Sequence, residues 1–97
     1  MTSGIISQEA RLIILRELAE QPGYSLNDAM LQEVLKTFGI NRSRDWLAEE
    51  LRWLADVGAV TLREAGTSKI ALLSDKGRDH VEYRIVIPGV KRPSPRD

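Results

Sequence analysis

The segment Phe38-Gly39-Ile40-Asn41-Arg42-Ser43-Arg44 separates two runs of helical periodicity, and the rest of the chain is placed from it. Upstream, Leu26, Met30, Leu31, Val34, Leu35 and Phe38 recur at spacings of three and four, which puts them on one face of a helix. Gly39 stops that helix, because a left-handed residue closes a helix end and glycine adopts it without a side-chain penalty. Downstream, Ser43 can cap a new helix from Arg44 to about Val57, with Leu47, Leu51 and Leu54 as its inner stripe and Gly58 as its stop. Two helices joined by so short a turn, with glycine at the first stop, form a helix-turn-helix.

Outward from this pair, the pattern towards the N-terminus predicts one more helix. Ser7 can cap it, and it runs to about Gln21, with Leu12, Ile13, Leu15, Leu18 and Ala19 on a broad apolar face that Ile14 widens. Pro22-Gly23 ends it. Ser25-Leu26-Asn27-Asp28 then opens the second helix, with Ser25 and Asn27 as rival caps.

Towards the C-terminus the period changes from three and four to two. Val60 and Leu62 alternate with Thr61 and Arg63 across 59–64, Ala65-Gly66-Thr67-Ser68 supplies a turn, and Ile70 and Leu72 share a face of a second run from Lys69 to Leu73. Two short alternating runs about a glycine-containing loop predict a β-hairpin, which directly after the third helix is a wing. Ser74 can cap a short fourth helix to about Glu82. Tyr83, Ile85 and Ile87 alternate with Arg84 and Val86, so a brief strand is expected there, and Pro88, Pro93 and Pro95 keep residues 88–97 as an extended, basic tail. The expected fold is mainly α with a small antiparallel β-hairpin: a winged helix-turn-helix domain over 1–87.

Composition narrows the function. The chain has 97 residues, 42% of them hydrophobic, which suits one small domain. It has no cysteine, so thiolate chemistry and sulfur-ligated zinc are excluded. No apolar run approaches the ~20 residues of a membrane span, and no basic start with a long apolar stretch marks a signal peptide, so a cytoplasmic protein without membrane contact is expected. The single histidine, His80, lacks a metal-ligand spacing and reads as a helix-surface residue. With no phosphate-binding glycine loop and no Ser/His/Asp set, neither catalysis nor a cofactor is expected. Lys plus Arg and Asp plus Glu are 14 each, so any positive patch must be local, and the basic excess lies in 74–97.

The stretch Leu47-x-x-x-Leu51-x-x-Leu54-x-x-x-Gly58-Ala59-Val60 resembles the third helix of winged-helix bacterial regulators running into the first wing strand. Leu72-Leu73-Ser74-Asp75-Lys76-Gly77-Arg78-Asp79 is similar to their step into the last helix. Together these cover residues 7–82. Tyr24-Ser25-Leu26-Asn27-Asp28 and Pro88-Gly89-Val90-Lys91-Arg92-Pro93-Ser94-Pro95 resemble small proteins of Mu-like phages and prophages labelled as winged-helix or ArsR-like regulators. The resemblance implies double-stranded DNA as partner, by analogy of fold. The cysteines and histidines of metal-sensing relatives are absent.

In this fold the third helix enters the major groove. Its outward residues should be Arg44, Asp45, Ala48, Glu49 and Arg52, with Arg42 and Ser43 at its N-terminus, where backbone N–H groups favour phosphate. On the wing, Arg63, Thr67, Ser68 and Lys69 could hold the DNA backbone. Asp45, Glu49 and Glu50 oppose this by repelling phosphate, and a solvated face or a protein-binding adaptor is the competing reading. Trp46 and Trp53, seven apart and beside Glu50, complete the core or contact a second subunit. Ile5, Ile6, helix one and Tyr83–Val90 offer a homodimer interface. Lys91, Arg92 and Arg96 form a basic arm whose role stays open between DNA, a partner subunit and neither.

Overall fold

A computed structural model describes residues 4–94. Four helices and a three-stranded antiparallel sheet form the winged-helix architecture: α1 (Ile5–Glu20), β1 (Ser25–Asn27), α2 (Asp28–Thr37), α3 (Arg44–Asp56), β2 (Val60–Ala65), β3 (Ser68–Leu73) and α4 (Asp75–Val81). Helices α1, α2 and α3 pack about one core of Ile14, Leu15, Leu18, Leu31, Leu35, Leu47, Leu51 and Leu54, all essentially inaccessible to water. These are the apolar stripes read from the sequence.

Helix α1 starts three residues earlier than expected. Gly4 precedes it without a side-chain cap, and Ser7 lies inside it. For α2 the cap is Asn27, whose side chain accepts from the Met30 amide. Ser25 instead belongs to β1, a strand that the sequence reading did not foresee. β1 adds to the outer side of β3, giving the order β1-β3-β2.

The decisive turn forms as the glycine predicts. Gly39 has φ +83°, its amide donates to the Lys36 carbonyl, and the Ile40 amide reaches back to Leu35. This pair of bonds satisfies carbonyls that the helix end leaves open, and redirects the chain into α3. Ser43 caps α3 by accepting from the Trp46 amide.

The wing is a tight hairpin. Val60 pairs with Leu73 and Ala65 with Ser68, leaving Gly66-Thr67 as a two-residue loop. Pleat alternation places Val60, Leu62, Ala71 and Leu73 on the core side, while Leu72 and Ile70 face outward.

Two expectations fail in and after α4, for related reasons. Residues 83–87 form no strand, because α4 ends in the same kind of closure as α2, with Tyr83 at φ +68° in the glycine position. The Tyr83 hydroxyl donates to the Ser94 carbonyl, tying that turn to the tail. His80 is not on the surface. It is fully buried, its Nδ1 accepts from the Ile87 amide, and its Nε2 lies 2.9 Å from the Lys91 carbonyl. An acceptor Nδ1 leaves the ring proton on Nε2, which then donates to Lys91. The helix pattern alone could not show this, since the chain that covers His80 returns from eleven residues away.

Residues 88–94 run along the domain. Ile87 and Val90 join the core, the Lys91 amide donates to the Gln8 carbonyl, and the Lys91 ammonium meets Glu9 at 2.8 Å. Gly89 needs to be glycine twice over: φ is +95°, and an added Cβ would lie 2.5 Å from the Trp53 ring. Arg96, the last member of the expected basic arm, lies outside the described residues.

Candidate nucleic-acid interface

The outward side of α3 is set by what its inward side must bury. Leu47, Leu51 and Leu54 point to the core, so Asp45, Glu49 and Arg52 are exposed and Ala48 is half-buried. The flank carrying Glu50, Trp46 and Trp53 faces elsewhere. Glu50 is buried, accepts from Arg11 at 2.5 Å and from the Ser7 hydroxyl at 2.9 Å, and so is neutralised inside the domain. One of the three carboxylates that opposed a DNA role is therefore not on this surface. Trp53 lies under the Arg11 guanidinium at 3.7 Å, which makes it part of the domain's own packing.

At the N-terminus of α3, Arg42 is exposed with its guanidinium over the Trp46 ring at 5.4 Å. The Ser43 hydroxyl is engaged as the helix cap. Arg44, the first residue of the helix, donates through Nη2 to both oxygens of Asp28, each at 3.1 Å. Asp28 also accepts from the Lys69 amide at 3.3 Å. This carboxylate thus joins the starts of α2, α3 and β3. The sequence reading treated Asp28 only as the acidic residue of a capping motif, and no spacing rule links it to Arg44 or Lys69.

On the wing the candidate residues divide. Lys69 and Glu64 are cross-strand partners on the core side of the sheet, joined at 3.0 Å. Arg63 pairs across the strand with Ile70 and lies on the opposite face, together with Ser68. Thr67 is at the exposed tip. The structure therefore brings Arg42, Arg44 and Lys69 to one end of α3, leaves Arg52 further along the helix, and sends Arg63 to the outer face of the hairpin.

The charge on this side is mixed. Arg44 and Lys69 have carboxylate partners, whereas Arg42, Arg52 and Arg63 have none among the described residues. Asp45 and Glu49 stay exposed beside them.

A second feature lies away from α3. A groove of about 600 Å³ runs along α1 and is lined by Leu12, Ile13, Arg16, Glu17, Phe38 and Tyr83, among others. Phe38 is 62% exposed, and Ile5, Ile6, Ile85 and Val86 are also exposed. Among the described residues no group of three or more His, Asp or Glu could hold a metal ion, and no helix is long and apolar enough to cross a membrane.

No protein-family model matches the chain. It is 35% identical over 96 residues to the uncharacterized protein gp26 of Escherichia phage Mu, and the match covers 99% of each. An uncharacterized protein of Haemophilus influenzae is 36% identical over 58 residues, 60% of this chain and 56% of that protein. Among solved structures, Sco3205, a MarR family transcriptional regulator from Streptomyces coelicolor in complex with DNA, is similar in fold, with a TM-score of 0.65 and 24% identity over 77% of this chain. The chain spans 45% of that regulator's length.

Proposed function

The chain belongs to the family of phage Mu protein gp26, and from that premise we propose that it is a phage or prophage DNA-binding transcription regulator acting in the bacterial cytoplasm. The observation that carries this reading is the unpacked outer side of α3. Arg42, Asp45, Glu49 and Arg52 are exposed and Ala48 is only half-buried, with the wing held beside the helix N-terminus. A fold whose structural neighbour was solved with DNA supports it.

In this reading α3 lies in the major groove, with Arg42, Ser43, Arg44, Asp45, Ala48, Glu49 and Arg52 along the duplex. Arg63, Thr67, Ser68 and Lys69 of the wing meet the backbone. Arg42, Arg52 and Arg63, which have no carboxylate partner among the described residues, supply most of the phosphate attraction. The exposed acids Asp45 and Glu49 weaken binding to arbitrary DNA and favour a site that meets them with base amino groups, such as cytosine N4. The protein acts as a homodimer through α1 and the C-terminal segment, which matches paired half-sites.

The test is binding to the DNA upstream of its own operon against an unrelated duplex, over a series of salt concentrations. The reading expects tighter, salt-sensitive binding upstream; equal and salt-insensitive binding to both contradicts it.

The mixed charge of this face favours a second reading, a protein-interaction adaptor that keeps the winged-helix fold without DNA affinity. It expects no salt-sensitive duplex binding and a stable protein partner in infected cells.

A further inference from the structure

We propose that Asp28 is a positioning residue for DNA contact. Its carboxylate grips one nitrogen of Arg44 and the amide of Lys69, and so presents the rest of the Arg44 guanidinium to a phosphate at a fixed place beside the wing. The proposal rests on the DNA reading of α3 and names a part of that site which the α3 sequence does not contain.

The geometry divides the arginine into two halves. Nη2 makes both bonds to Asp28, while Nε and Nη1 have no protein partner among the described residues. The Asp28 side chain is 11% exposed and that of Arg44 is 48% exposed, so the carboxylate is nearly covered while about half of the arginine side chain meets water. Free guanidinium N–H groups in a plane match the oxygens of a phosphate. Arg44 is itself the first residue of α3, next to the Ser43 cap. Asp28 opens α2, a position that favours an anion, and the Lys69 amide fixes it from the wing side at 3.3 Å. A guanidinium already held in place loses less freedom on binding than one moving in solvent.

Two effects of Asp28 oppose each other, and their difference in sign makes the idea testable. As a bare charge beside a phosphate site, the carboxylate repels DNA, so neutralising it should tighten binding. As a grip on Arg44, its removal should loosen binding.

The experiment measures affinity for a mixed-sequence DNA duplex, with thermal unfolding as a control for folding. Asp28→Asn keeps the shape and an acceptor for the Lys69 amide. It is expected to weaken binding several-fold in the parent chain and to leave affinity unchanged or raised when Arg44 is already alanine. Arg44→Lys keeps the charge but not the planar fork, folds independently of the Asp28 question, and should lose nearly as much as Arg44→Ala, about tenfold for one phosphate contact. If Asp28→Asn binds as well as the parent or better, or weakens binding equally in both backgrounds, the grip is overturned. If that variant does not fold, Arg44→Lys decides: parent-like affinity overturns the proposal. A parent chain with no salt-sensitive duplex binding overturns the DNA reading itself, whereas a parent that binds with these variants unaffected overturns only the role of Asp28.

Discussion

The Nε of Arg11 in α1 lies 2.5 Å from Oε1 of Glu50 in α3, and both side chains are more than nine-tenths buried. The same guanidinium covers the Trp53 ring and donates to the Gly89 carbonyl at 2.9 Å, while Ser7 supplies a second donor to Glu50. One ion pair therefore joins the first helix, the third helix and the tail. Desolvating two charges is costly, and the extra hydrogen bonds are what make the pair tenable.

Removing one member should be far worse than removing both. Glu50→Ala removes the carboxylate paired with a buried arginine and is expected to cost about 3–5 kcal/mol. Arg11→Met with Glu50→Leu should recover most of that loss. Chemical denaturation of the single and double variants checks this; a double variant as unstable as the single one would show that charge compensation is not what Glu50 supplies.

His80 anchors the return of the chain over α4. Replacing it with alanine leaves the Ile87 amide and the Lys91 carbonyl without their ring partners and opens a cavity. A loss of about 3 kcal/mol is expected, at about 1–3 kcal/mol for each unsatisfied group. Limited proteolysis should cut the region beyond residue 83 sooner in this variant; parent-like stability and cleavage would contradict the anchoring role.

The groove along α1 carries the dimer proposal. Phe38 is its most exposed aromatic wall, so Phe38→Asp should shift a dimer to monomer while the core stays intact. Sedimentation of both chains tests it. A parent that remains monomeric at high concentration contradicts the homodimer, and a variant that still dimerises moves the interface elsewhere.

The helical core was legible from the sequence because Leu31, Leu35, Leu47, Leu51 and Leu54 repeat with the helix period, and Gly39 marks the turn between them. The wing was legible because Val60 and Leu62 alternate before a glycine loop. β1 was not: at three residues it has too little alternation to register, and it is a strand only because β3 offers an edge. Tyr83 hid the turn that follows α4, and so made 83–87 read as a strand, by taking a left-handed position without being glycine. The outward residues of α3 followed from its inner stripe, but their pairing did not. Asp28, Glu50 and His80 are buried through contacts with residues distant in sequence, and local periodicity carries no record of such partners.

The most direct test of the account is the salt dependence of duplex binding by the parent chain and by a variant with Arg42, Arg52 and Arg63 all changed to alanine. The account predicts that the logarithm of affinity falls linearly with the logarithm of salt concentration for the parent. The slope should become shallower by about 0.9 for each of these arginines that meets a phosphate. A parent whose affinity does not respond to salt, or a folded triple variant with the parent's slope, would contradict it.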